Sequence, residues 1–142
     1  MCLAKTLALA FGKASEMSAL YHDSVVWTLS ETIASHLGTP VGRKAVEQFN
    51  QVVDQGYDKN TVSVEILDAL EQGNLSATRF VYRANMLPSH EPFEGEYALF
   101  VKEQDGKIIE VHERLDSLKV GLARGMVRKA DERKETLGET KR

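Results

Sequence analysis

Cysteine is nearly absent. Cys2 is the only one in 142 residues, which excludes an internal disulfide and a paired-cysteine metal knuckle. Long hydrophobic runs are also missing: no stretch approaches the ~18–20 uncharged apolar residues of a membrane span. Three prolines and ten glycines are too few for a collagen-like fibre. The segment from Leu3 to Phe11 is apolar apart from Lys5 and Thr6, but it lacks the basic start and the length of a signal peptide, so a cytoplasmic location is expected. What is present is ordinary for a globular chain: 42% apolar and 27% charged residues, enough for one core without disulfide or metal support.

Charge is unevenly placed. Residues 1–118 carry 10 basic and 17 acidic groups, whereas residues 119–142 carry 8 basic and 4 acidic groups. An acidic body is a poor surface for nucleic acid, whose affinity comes mainly from phosphate neutralisation. The expected organisation is one domain over 1–118 followed by a basic helix or tail over 119–142. From Arg128 to Glu135 only Ala130 is apolar, so the residues after about Val127 cannot bury a stripe and are expected to be dispensable for folding.

The hydrophobic period sorts the chain into elements. Leu3, Leu7, Ala10, Phe11 and Ala14 fall at helical spacing, and a second short helix follows over 14–22. Val25, Val26 and Trp27 favour a strand. Arg43 to Val53 is amphipathic, with Val46, Phe49, Val52 and Val53 on one face. From Val62 onward the alternation is that of strands: Val62 to Ile66, Leu75 to Met86, Glu96 to Glu103 and Lys107 to Leu115, the last two joined across Gln104-Asp105-Gly106. Ser117 to about Glu135 reads as helical. Helices followed by a meander of strands define an α+β fold, since βαβ alternation is missing. Such a sheet can curl into a cone with a pocket between sheet and helices.

Three segments carry a resemblance. Ala19 to Trp27, Val41 to Val46 and Asp105 to Asp116 resemble, in order and spacing, the SnoaL-like branch of the nuclear transport factor two (ketosteroid isomerase-like) superfamily. The resemblance implies a cone-shaped, curved antiparallel sheet with N-terminal helices packed on its concave face, a small-molecule ligand and a homodimer formed through the outer sheet face. It does not imply one reaction, because the same cone serves several kinds of enzyme and pure binding modules.

The candidate site follows from alternation. Ile109, Val111, Glu113 and Leu115 share one face of the last strand, and Glu113 is the one carboxylate in that apolar row. A buried carboxylate is costly unless paired, and Arg79, on the face of Leu75, Ala77, Val81 and Arg83, is the expected partner inside the cone. Phe80 and Tyr82 fall on the opposite, outer face, where a second subunit would cover them. Arg79 also sits where limonene epoxide hydrolase relatives place their arginine, and Glu113 sits where one of their two aspartates lies. Val81 replaces the other aspartate, and Val26 and Thr28 replace a tyrosine and an asparagine. The relay needs both carboxylates, so that reaction is not expected. Against ketosteroid isomerase relatives, Thr28 stands near the proton-shuttling aspartate and Tyr97 or Ala98 near the oxyanion donor, so the base is missing there too.

The expected site is therefore Arg79 and Glu113 as the catalytic pair, lined by Val26, Thr28, Val81, Arg83, Tyr97, Val111 and Leu115. Glu113 is expected to act as an ionised base held by Arg79. His22, His36, His90 and His112 lack metal-ligand spacing, and neither metal nor cofactor is expected. The leading functional expectation is binding of an apolar or carbonyl-bearing small molecule, with lyase, isomerase or hydrolase chemistry. The alternative is a non-catalytic dimerisation or scaffold module whose pocket is vestigial.

Overall fold

The computed structural model describes residues 2–126. The expectation for the chain beyond about Val127 lies outside them. Leu3, Ala4, Leu7 and Ala8 are buried on one side of helix α1 (Leu3–Leu9), which packs on the sheet at Ser76, whose Oγ accepts from Ala4 N at 2.9 Å. Gly12 turns the chain into the short helix α2 (Ala14–Ser18), and strand β1 (Tyr21–Thr28) begins earlier than expected. Helix α3 (Glu31–Leu37), not anticipated from the sequence, follows β1 and buries Ile33. Helix α4 (Arg43–Asp54) then lies against β1 and α2. Its buried stripe is Val46 and Asn50 with Phe49 and Val53 beside them, while Val52 is exposed.

The remaining strands form the expected meander: β2 (Ser63–Gln72), β3 (Leu75–Asn85), β4 (Pro92–Gln104) and β5 (Lys107–Leu115). The β4–β5 turn places Asp105 and Gly106 at positive φ, the backbone that a two-residue hairpin requires. The sheet order is β1-β5-β4-β3-β2, antiparallel throughout except that β1 runs parallel to β5. The architecture is α+β: a curved, open sheet with helices on its concave face. The last described helix, α5 (Ser117–Ala123), crosses the boundary expected at residue 118, and its Val120 is buried in the core.

Register decides which side chains share a face. Glu113 pairs with Leu99, which pairs with Thr78, and all three are buried on the concave side. Arg114 pairs with Ala98, which pairs with Arg79, on the convex side. Residues opposite one another in a ladder lie on the same face, so Arg79 and Glu113 are on opposite sides of the sheet.

Candidate functional site

The concave face gathers the aromatic residues. Phe80 and Tyr97 stack at 5.6 Å between centroids, Tyr82 meets Tyr57 at 5.3 Å, and Phe11 meets both Phe80 and Trp27. Gly95 makes room for this cluster in β4: a Cβ there would come within 3.0 Å of the Tyr97 ring and 3.1 Å of Phe93. The expectation that Phe80 and Tyr82 face outward toward a second subunit is therefore corrected. Both are buried in the core, because the alternation of β3 turns its aromatic positions, and not its arginines, toward the helices.

Between this cluster and the helices lies a cavity of about 60 Å³. It is lined by Trp27, Phe49, Tyr57, Tyr82, Tyr97 and Glu113, with Asn50, Asp54, Leu115 and Arg124 among the rest. Glu113 is 6% exposed. Its Oε1 accepts a 3.0 Å hydrogen bond from Trp27 Nε1, a pairing fixed by the parallel β1–β5 register. Among the described residues no cation reaches it. Burial pushes its carboxyl up to about 7, and the Trp27 hydrogen bond opposes the shift. At neutral pH this group is divided between acid and base, the condition suited to proton exchange with a ligand. Burial also holds the Tyr97 and Tyr82 hydroxyls well above the usual phenol range, so both stay protonated. Deeper in the wall, the Tyr21 hydroxyl donates to Asn50 Oδ1 at 2.5 Å.

The expected site divides accordingly. Glu113, Tyr97 and Leu115 line the cavity. Val111 is buried beneath it in the core. Val26 and Thr28 alternate with the inward-facing Trp27 on β1, and Val26 bridges to Val41. Arg79, Val81 and Arg83 are on the convex face. Arg79 donates to Asp68 at 2.8 Å and to Glu96 at 3.0 Å, and Arg83 pairs with Glu65 and Glu94. The Arg79–Glu113 pair is thus a correction: Arg79 already holds two surface carboxylates, and Asp68 is kept below the usual carboxylate range by its hydrogen bond from Arg79. Without that arginine, the partner among the described residues that favours the ionised form of Glu113 is the Trp27 N–H.

Asn50, Asp54, Tyr57, Tyr82 and Arg124 were not among the expected site residues. A signal existed for Asn50, which shares the helical stripe of Val46, Phe49 and Val53 at spacings of 4, 1 and 3 residues. The histidines stay dispersed. His112 Nε2 bonds to Glu110 on its own strand, and no group of metal-ligating side chains occurs among the described residues. Nor is any helix among them long and apolar enough to cross a membrane.

An open curved sheet with helices over a cavity on its concave side defines a class of pocket-bearing α+β domains. The sequence matches the model of the SnoaL-like domain over residues 6–111, and the chain belongs to that family. Solved structures with ketosteroid isomerase-like and SnoaL-like folds are similar to it. A putative isomerase from Rhodopseudomonas palustris aligns at 17% identity and TM-score 0.69, covering 87% of this chain and 94% of that one. A putative SnoaL-like polyketide cyclase from Jannaschia sp. CCS1 aligns at 16% identity and TM-score 0.67, covering 84% and 88%. A ketosteroid isomerase-like protein from Catenulispora acidiphila, in complex with trimethylamine, aligns at 17% identity and TM-score 0.63, covering 77% and 81%. No curated protein matches.

Proposed function

We propose that the chain binds a small carbonyl-bearing molecule in the cavity and that Glu113 exchanges a proton with it. The carrying observation is a carboxyl buried in an apolar, aromatic cavity with one protein donor, Trp27 Nε1–H. In its ionised form Glu113 takes the proton next to the carbonyl, and the Tyr97 hydroxyl, kept protonated by burial, donates to the enolate oxygen. The neutral acid then returns the proton to the same carbon, which is exchange, or to another carbon of the enolate system, which is isomerisation. Deuterium exchange into 2-butanone, followed by NMR, tests this. The wild-type chain accelerates exchange and Glu113→Gln loses that acceleration by about 10²–10⁴-fold. Exchange that is equal in the two proteins removes the catalytic role.

A second reading is supported by size. A free volume of about 60 Å³ is far below the roughly 300 Å³ at which typical ligand sites begin. Trp27 and Phe49, 5.9 Å apart, take up part of the space. A non-catalytic module with a vestigial pocket would look the same at rest. It predicts no exchange with any small ketone.

The partner we propose is a second copy through the convex sheet face. Leu70, Ala77 and Phe100 fall in one register row, with Leu75 beside them, and Leu70 and Phe100 are 65% and 46% exposed. The flanking clusters each set one arginine between two carboxylates, Arg79 between Asp68 and Glu96 and Arg83 between Glu65 and Glu94, and Arg114 lies beside them on the same face. The two signs are interspersed, so an arginine of one copy can meet a carboxylate of the other across a two-fold axis.

A further inference from the structure

Three of the five arginines among the described residues pair with carboxylates. Among the described residues Arg43 reaches Asp23 and Glu47, Arg79 reaches Asp68 and Glu96, and Arg83 reaches Glu65 and Glu94. Arg114 donates instead to the Glu113 carbonyl oxygen, and Arg124 differs from all four. It caps the C-terminal end of α5, lines the cavity, and has no carboxylate within 4.0 Å among the described residues. Its guanidinium stands 5.6 Å above the Tyr57 ring, and its Nη1 is buried without a hydrogen-bond partner. A buried donor left unmade costs more than a typical bond gains, so such atoms mark places where a ligand group belongs. Around it, the hydroxyls of Tyr57, Tyr82 and Tyr97 make no hydrogen bond with any described residue. All three tyrosines line the same cavity as Arg124 and Glu113.

We infer that Arg124 is the anchor for a carboxylate on the ligand, which the guanidinium and the neighbouring tyrosine hydroxyls hold beside α5 while the reactive part of the molecule faces Glu113. This rests on the reading of the cavity as a ligand site and narrows its substrate class to small carbonyl- or alkene-bearing carboxylic acids. Donors dominate this end, and a carboxylate is the group that accepts from a guanidinium most strongly. Asp54 also lines the cavity, with Oδ2 buried and unpartnered. Burial pushes its carboxyl up, toward the neutral form that opposes an anion least. The small volume agrees with a ligand of few atoms.

Trp27 is the only tryptophan and lines the cavity, so its indole N–H resonance reports occupancy. The full chain is titrated with butyrate, butyramide and butylammonium at constant ionic strength. Butyrate should bind at least about ten-fold more tightly than butyramide. Arg124→Met should reduce the preference for butyrate over butyramide to none, and an unshifted Trp27 indole resonance in the unliganded variant shows that it is folded. Arg124→Lys should keep part of the preference. Equal affinities in the wild type, preference for butylammonium, an unaltered butyrate preference in Arg124→Met, or no response to any of the three would each overturn the inference. The last would also remove the ligand-site reading. Retained butyrate selectivity without 2-butanone exchange would uphold the anchor and reject only the proton chemistry assigned to Glu113.

Discussion

Glu113 keeps its carboxyl out of water with a single protein donor, and its titration follows from that. The ordinary value of 4.5 rises to about 7 in the folded chain, with burial as the cause and the Trp27 hydrogen bond working against it. Between these two pH values the folded chain holds a proton that the unfolded chain has released. Stability contributed by this group is therefore fully present below about 4.5, declines as pH rises through the window, and levels off above about 7. The total change is on the order of 3 kcal/mol. The amide introduced by Glu113→Gln carries no charge at any pH. Urea unfolding of Glu113→Gln across pH 4.5–8 should accordingly show the variant gaining on the wild type by that amount as pH rises. Parallel stability profiles would mean that the carboxyl titrates as an exposed one does.

At the scale of elements, α4 is tied to β1 by a polar contact inside an otherwise apolar interface. The Tyr21 hydroxyl donates to Asn50 Oδ1, and both residues are buried. Burial holds the phenol far above its usual range, so it remains a donor. Asn50→Leu leaves that hydroxyl without an acceptor and should cost about 1–3 kcal/mol. The double variant Asn50→Leu with Tyr21→Phe should recover part of the loss, because both partners are then apolar. Strict additivity of the two single changes in a double-mutant cycle would show that the bond contributes nothing. The contact also explains what periodicity could and could not reveal. Asn50 stands on the stripe of Val46, Phe49 and Val53, but its polarity hides it, whereas exposed Val52 joins the expected stripe by its hydrophobicity alone. Strands β2 to β5 were legible because alternation and turn residues mark them. The direction in which β3 faces was not, since both its faces carry apolar residues. Only the pairing of Arg79 with Asp68 and Glu96 on neighbouring strands separates them. Glu113 stood out as a carboxylate in an apolar row. Trp27, 86 residues away in sequence, could not be tied to it before the parallel β1–β5 pairing was known.

For the whole molecule, the two sheet faces divide the work. The concave face is filled by its own aromatic residues and helices. The convex face leaves Leu70, Leu75 and Phe100 in water, at 65%, 39% and 46% exposure. Single exposed apolar residues are normal, but these share adjoining rows of β2, β3 and β4, and a contiguous apolar patch marks an interaction surface. A two-fold axis near the Ala77–Phe100 pair would lay the patch on itself and set the arginine–carboxylate clusters around its rim, where charges help orientation more than affinity. Phe100→Glu would put an unpaired carboxylate at the centre of that contact. Light scattering should then give a mass near 15.8 kDa for the variant and about twice that for the wild type, while the Trp27 indole resonance stays unchanged because the cavity lies on the other face. A wild-type chain that scatters as a monomer, or a variant that stays dimeric, would assign this face to solvent or the dimer to another surface.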